Sequence, residues 1–326
     1  MKKATIFSIL LFLFLVAATT AVFSWGFWGH QRINRIAVFT LPPQMLALYK
    51  PNIEYITAHA VDPDKRRYSN PDEAPRHYID LDRYGYYPFD SLPRRWDDAV
   101  KKYSEDSLKA HGIVPWYVPL MLSRLTEAFR EKDKYRILHY SADIGHYIGD
   151  AHVPLHCTRN YNGQLTNQSG IHGFWESRVP ELFGEDYDYF VGKAEYIAHP
   201  SEYIWNVILK SSSEVDSVLS FERELSATFP ADQKYSFEQR GDANVRTYSR
   251  GYAEAFQQKM NNMEERKLRE AIIAVGSFWY TAWVNAGKPD LSDLKDSPIS
   301  PEDQQELESM DKAWREGKIY GRSHDE

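Results

Sequence analysis

Cysteine is nearly absent: Cys157 is the one thiol in 326 residues. No internal disulfide can form, which excludes a disulfide-stapled secreted scaffold. Net positive charge is also missing, with 39 Lys and Arg against 46 Asp and Glu and a formal charge of −7. A broad basic footprint for long nucleic acid is therefore excluded, although a metal site would still hold phosphate locally. Neither repeats nor low-complexity stretches occur. With 43% hydrophobic and 26% charged residues, disordered and collagen-like readings fall away. Several catalytic signatures are lacking too: no His-Glu-x-x-His, no Gly-x-Ser-x-Gly, and no glycine-rich phosphate loop ending in Lys-Ser/Thr. Cys157 directly follows His156, and adjacent residues do not form a Cys/His dyad.

One apolar run stands out, from Ala4 to Ala18, behind Lys2 and Lys3 and ahead of Val22 and Ser24. It falls short of the ~20 residues that span a bilayer. A basic start, a short apolar stretch and a small-residue exit predict a signal peptide over 1–24, cleaved before Trp25. The mature chain would keep 37 basic against 46 acidic residues, a charge of −9, and is expected to be exported to the periplasm or beyond the cell, with no transmembrane helix.

What is abundant is helical periodicity. Helices are expected around Ile33–Ala37, after Pro43, from Pro51 to a stop at Pro63, from Pro93 to about Gly112, over 117–131 and 134–150, and over 202–226, 237–263 and 265–286. Ser300-Pro301-Glu302 reads as the cap of a final polar helix. Strand-like alternation is confined to Tyr86–Phe89 and Tyr187–Val191. The expectation is an all-α, mainly helical single domain over 25–290, with a polar helical tail over 291–326.

The chemistry lies in the histidines. His146, Asp150, His152 and His156 fall within 11 positions. His146 and Asp150 are four apart and share one helix face, so they can chelate one ion. Pro154 ends that helix and His156 returns from the next turn. Sixteen residues on, His172 and Glu176 repeat the i, i+4 arrangement. Imidazole and carboxylate at these spacings suit zinc. His139 and Asp143 extend the stripe upstream and read as structural partners of ligands. His152 points off the ligand face, and His59, His111, His199 and His324 have no ligand context.

Taken in order, these segments resemble the zinc phospholipase C / S1–P1 nuclease superfamily. The match runs through Trp25-Gly-Phe-Trp-Gly-His30, Asp62 followed 15 residues later by His77, His146-x-x-x-Asp150-x-His-x-Pro-Leu-His156, and His172-x-x-Trp-Glu176. The resemblance implies a helical fold and three Zn2+ ions. Asp62, His77, His146 and Asp150 would bind the first, and His156, His172 and Glu176 the second. The third would take His30, Asp150 and the free amine and carbonyl of Trp25, which would make signal cleavage a condition of activity. Asp62 and Asp150 are the expected catalytic carboxylates. Asp64 rivals Asp62, because the family's Arg three residues on is Lys65 here, with Arg66 and Arg67 following; spacing to His77 favours Asp62.

Glu176 and the lack of disulfides look more like the phospholipase branch, so the leading expectation is a secreted phospholipase C-like phosphodiesterase. A single-strand nuclease is the alternative, and a non-catalytic, metal-stabilised binding protein is an alternative of another class. The substrate would be a phospholipid head group or single-stranded nucleic acid; no stable protein partner is evident. Tyr78, Phe174 and Trp175 flank ligands and offer rings for a base or a choline, and Asp80 offers a carboxylate to a base edge or cationic head group.

Overall fold

The computed structural model describes residues 26–240, 243–292, 294, 299–317 and 319–322. The leader over 1–24, Trp25 and His324 lie outside them. Helices dominate, as expected: α1 (Gly26–Ala37), α2 (Pro43–Tyr49), α3 (Ile53–Ala58), α4 (Asp62–Arg66), α5 (Trp96–Tyr103), α6 (Glu105–His111), α7 (Val114–Glu131) and α8 (Lys134–His152) come first. There follow α9 (Ile171–Gly173), α10 (Val179–Phe183), α11 (Pro200–Ser213), α12 (Val215–Thr228), a hairpin of β1 (Tyr235–Arg240) and β2 (Ala243–Tyr248), then α13 (Arg250–Lys259), α14 (Met263–Asn285) and α15 (Pro301–Glu316).

The core forms around α8. Asp133 caps it, its Oδ1 accepting from Arg136 N at 3.1 Å, and every residue from Ser141 to His152 is buried. Helices α7, α14 and α1 enclose it. Trp279 of α14 donates its indole N–H to Ser141 O at 2.9 Å, and Asn34 of α1 donates to Ala142 O at 3.0 Å. Gly145 permits this approach, because a Cβ there would lie 2.0 Å from Asn34 Oδ1. Full burial on all sides places two turns of polar ligands, His146 and Asp150, in a dry interior.

Several boundaries differ from expectation for local reasons. Pro63 does not stop a helix but occupies the first turn of α4, where its missing N–H costs nothing. The segment after Pro93 breaks at Ser104, whose hydroxyl caps α6 by accepting from Ser107 N at 3.3 Å. The span 202–226 is two helices, divided at Glu214. The span 237–263 is not one helix: it opens with the hairpin, paired Tyr235 to Tyr248 through Arg240 to Ala243, and only then becomes α13. The alternation of Tyr235 and Phe237 in one strand, and of Val245 and Thr247 in the other, carried that strand signal, hidden among helix-favouring Glu238, Gln239 and Arg240. Tyr86–Phe89 and Tyr187–Val191 form no strand. Ser300 caps α15 as expected, its Oγ accepting from Asp303 N at 3.0 Å.

Candidate metal centre

Six separate segments deliver candidate ligands to one buried region, Asp64 coming from α4. From α8 come His146 and Asp150; a 3-10 turn opened by Pro154 turns the chain so that His156 rejoins them. His77 ends another 3-10 turn, Ala74–His77. His172 and Glu176 sit on α9 and the π-helical turn that continues it, Phe174–Arg178. His30 lies on α1.

The first group centres on Asp150 Oδ2, 2.9 Å from His77 Nδ1 and 3.3 Å from His146 Nε2, with those two nitrogens 3.0 Å apart. Asp64 Oδ1 faces the same nitrogens, 3.7 Å from His77 and 3.8 Å from His146. In the second group, Glu176 Oε2 is 2.6 Å from His172 Nε2 and 3.4 Å from His156 Nε2. The third sets His30 Nε2 3.4 Å from Asp150 Oδ1 and 3.8 Å from Glu176 Oε1. Asp150 thus gives one oxygen to each side.

The donor set fits divalent metal. Three imidazoles have their outward nitrogens fixed on backbone carbonyls: His146 Nδ1 on Ala60 O at 2.9 Å, His156 Nδ1 on His77 O at 2.6 Å and His172 Nδ1 on Tyr161 O at 3.0 Å. A carbonyl accepts only, so each Nδ1 must carry the proton and each Nε2 presents a lone pair inwards, as metal ligation requires. Clusters of three such donors, all within 4.8 Å of one another, recur four times here.

Asp62 is not brought into these groups. Its Oδ2 accepts from His59 Nδ1 at 2.5 Å and its Oδ1 from Lys65 at 3.3 Å. Positions 62 and 64 point about 200° apart on a helical turn, so only one can face His77. Arg67, three residues after Asp64 and 3.6 Å from its carboxylate, was the sequence signal for that choice. Asp143 pairs with Arg66 at 2.5 Å rather than with a ligand histidine, and His139 lies 3.7 Å from Asp143. His152 is buried packing, bonded through Nδ1 to Ile148 O at 2.7 Å. Glu73, unremarked in the sequence, backs the site: its Oε1 is 3.5 Å from His77 Nε2.

The S1/P1 nuclease family model matches residues 25–266, about three quarters of the chain. The chain belongs to the S1/P1 nuclease family. Among curated proteins, none matches it. S1/P1 nucleases are secreted zinc enzymes that hydrolyse phosphodiesters, so an enzyme of that class, and zinc as its metal, stand on the match together with the buried clusters. No helix among the described residues is long and apolar enough to cross a membrane.

Electrostatics in this S1/P1-type centre is one-sided. Among the described residues, the ion-pair partners of Asp150 and Glu176 are all histidines. Burial opposes charging Asp150, but His146 and His156 outweigh it and hold its carboxyl well below the ordinary range. Glu176 is likewise buried and held low by His156 and His172. Against burial, Asp150 raises both His146 and His156 to about 9. Without metal, protons do the balancing that cations would otherwise do. Burial pushes the Cys157 thiol up to about 12, which leaves no thiolate for nucleophilic chemistry.

Proposed function

We propose that this protein is a zinc-dependent hydrolase that cleaves phosphodiesters of single-stranded nucleic acid or nucleotides. The observation that carries the reading is the division of Asp150, with Oδ2 facing His77 and His146 and Oδ1 facing His30. A carboxylate divided in this way would be available to neighbouring cations on both sides, as two-metal phosphodiesterases need. Asp64, His77, His146 and Asp150 would hold one ion, and His156, His172 and Glu176 a second. A third would rest on His30 and Asp150, completed by the amine and carbonyl of Trp25. Zinc there supplies Lewis acidity, neutralising charge on phosphoryl oxygens and lowering the pKa of water.

The residues orient the rest. Tyr78 follows His77 in sequence, and Tyr161 supplies the carbonyl that fixes His172 and sets its ring 6.2 Å from that imidazole. Asp80 completes a cage with them: one guanidinium carbon stands 3.6 Å from the Tyr78 ring and 4.6 Å from the Tyr161 ring while its nitrogen bonds Asp80 Oδ2. A flat group with N–H donors fits this cage. A nucleobase is flat and carries such donors; trimethylammonium is tetrahedral and carries none. The same two rings and carboxylate would also hold a trimethylammonium cation; it is the S1/P1 nuclease family match that points to nucleic acid rather than to the phospholipid that Glu176 and the missing disulfides suggested.

The test sets zinc-loaded protein beginning at Trp25 against single-stranded DNA and phosphatidylcholine in parallel. Nucleotide release is expected, and phosphocholine release alone would transfer the protein to the lipase class. Chelation by EDTA should abolish turnover while far-UV circular dichroism stays helical. Loss of the fold with the metal, and no turnover of either substrate, would favour the structural-zinc alternative. We also propose export with cleavage between Ser24 and Trp25, read out as the N-terminal residue of the protein recovered outside the cytoplasm; one extra residue there should cost the third ion.

A further inference from the structure

The guanidinium in the cage belongs to the chain's own C-terminal tail. It is Arg322, 242 positions from the Asp80 it binds. The tail reaches it over a packed route. Helix α15 lies on α4, with Met310 buried, Trp314 6.3 Å from Phe27, and Lys65 5.5 Å above the Trp314 ring. Past the helix, Tyr320 N–H donates to Arg67 O at 2.8 Å, and the Arg67 guanidinium donates to Arg322 O. Gly321 adopts φ +87°, where a Cβ would sit 2.5 Å from Ala74 Cβ, so glycine alone lets the chain pass at that point.

We infer that the tail inhibits the protein's own active site, Arg322 occupying the Tyr78–Tyr161–Asp80 cage in place of the planar group of a substrate. The inference rests on the reading of that cage as the substrate's subsite. One set of two ring faces and one carboxylate cannot serve both occupants. The fit of the arginine is incomplete, since Arg322 Nη1 and Asp80 Oδ1 are both buried without a hydrogen-bond partner among the described residues. An occupant that also bonds Asp80 Oδ1 displaces the tail, so the contact restrains the site without sealing it. Apparent affinity for substrate is then reduced by the fraction of molecules with the cage open.

Two variants test this in the zinc-loaded full-length protein. Arg322→Ala removes the occupant, and Gly321→Ala unseats it without touching the cage. Both should lower KM for a short single-stranded oligonucleotide by roughly 5- to 30-fold, with kcat within about twofold. A KM that is unchanged in both, or raised in Arg322→Ala because the arginine grips substrate, overturns the inference. Should neither the parent nor the variants hydrolyse the oligonucleotide, the hydrolase reading is what fails. Equilibrium dialysis with adenosine 5′-monophosphate then decides for the tail: tighter binding in both variants upholds it, and equal binding in all three proteins overturns it.

Discussion

Two clusters of buried charge meet at His77. On one side, Glu73 and Asp143 are matched by Arg66 and Arg76, with Tyr147 donating to Glu73. On the other, Asp150 and Glu176 face histidines alone among the described residues. The first cluster carries its cations covalently. Burial opposes the charge on Glu73, yet Arg66 and Arg76 hold its carboxyl well below the ordinary range, and Arg66 itself is raised well above its own by Asp143 and Glu73. That arrangement is closed and structural. The second leaves positive charge to be supplied from outside, and this deficit is what makes a ligand site of otherwise similar residues.

The sharpest way to break the comparison is Asp150→Asn. Turnover should fall at least about 10³-fold if, as proposed, the shared carboxylate serves more than one ion, while circular dichroism keeps its helical signature; full activity would refute the assignment. In the closed cluster, Arg66→Met strands Asp143, leaves Glu73 to Arg76 alone among its arginines, and should cost about 3–5 kcal/mol in urea unfolding, with zinc content retained by the protein that remains folded. Loss of zinc without loss of stability would mean that the two clusters have been assigned the wrong roles.

Next in size is the contrast between neighbours: Asp64→Asn should lower zinc content and cost about 10²-fold in activity, whereas Asp62→Asn changes activity by no more than about threefold, since it touches His59 and Lys65. The reverse order would restore Asp62 as the ligand. Titration separates the clusters further. His146 and His156 are raised from 6.5 to about 9 in the metal-free fold, so their contribution to stability is complete below pH 6.5 and lost as pH rises through about 9. EDTA-treated protein should therefore lose urea resistance between pH 6.5 and 9, while zinc affinity rises over the same interval as protons leave the ligands. The arginine cluster stays charged throughout, so its share does not change. The smallest effect is expected at the junction: Glu73→Gln should weaken zinc binding about 10-fold through His77, measurable by competition with a chromogenic chelator.

Legibility followed sequence separation. His146 with Asp150, and His172 with Glu176, were readable because four residues along a helix fix two side chains on one face. The pairing of α7 with α8 was readable from unbroken periodicity and a short connection. The hairpin was not, because its two strands are six residues each and rich in helix formers, and strand pairing depends on a partner more than on propensity. Glu73 gave no signal, because its neighbour His77 was already accounted for, and what it does depends on which way that ring turns.

The sequence by itself determined the donor types, their helical spacing and the lack of any thiol chemistry, all of which are local properties of a chain with a 3.6-residue period. Only the tertiary structure decided that Asp64 and not Asp62 faces the histidines, that Asp150 divides its oxygens between groups, and that Arg322 lies between Tyr78 and Tyr161. Each of those depends on a rotation about a helix axis or on a contact between residues far apart in the chain. No spacing encodes such facts, because they are fixed by which surfaces pack together when the apolar core around α8 closes.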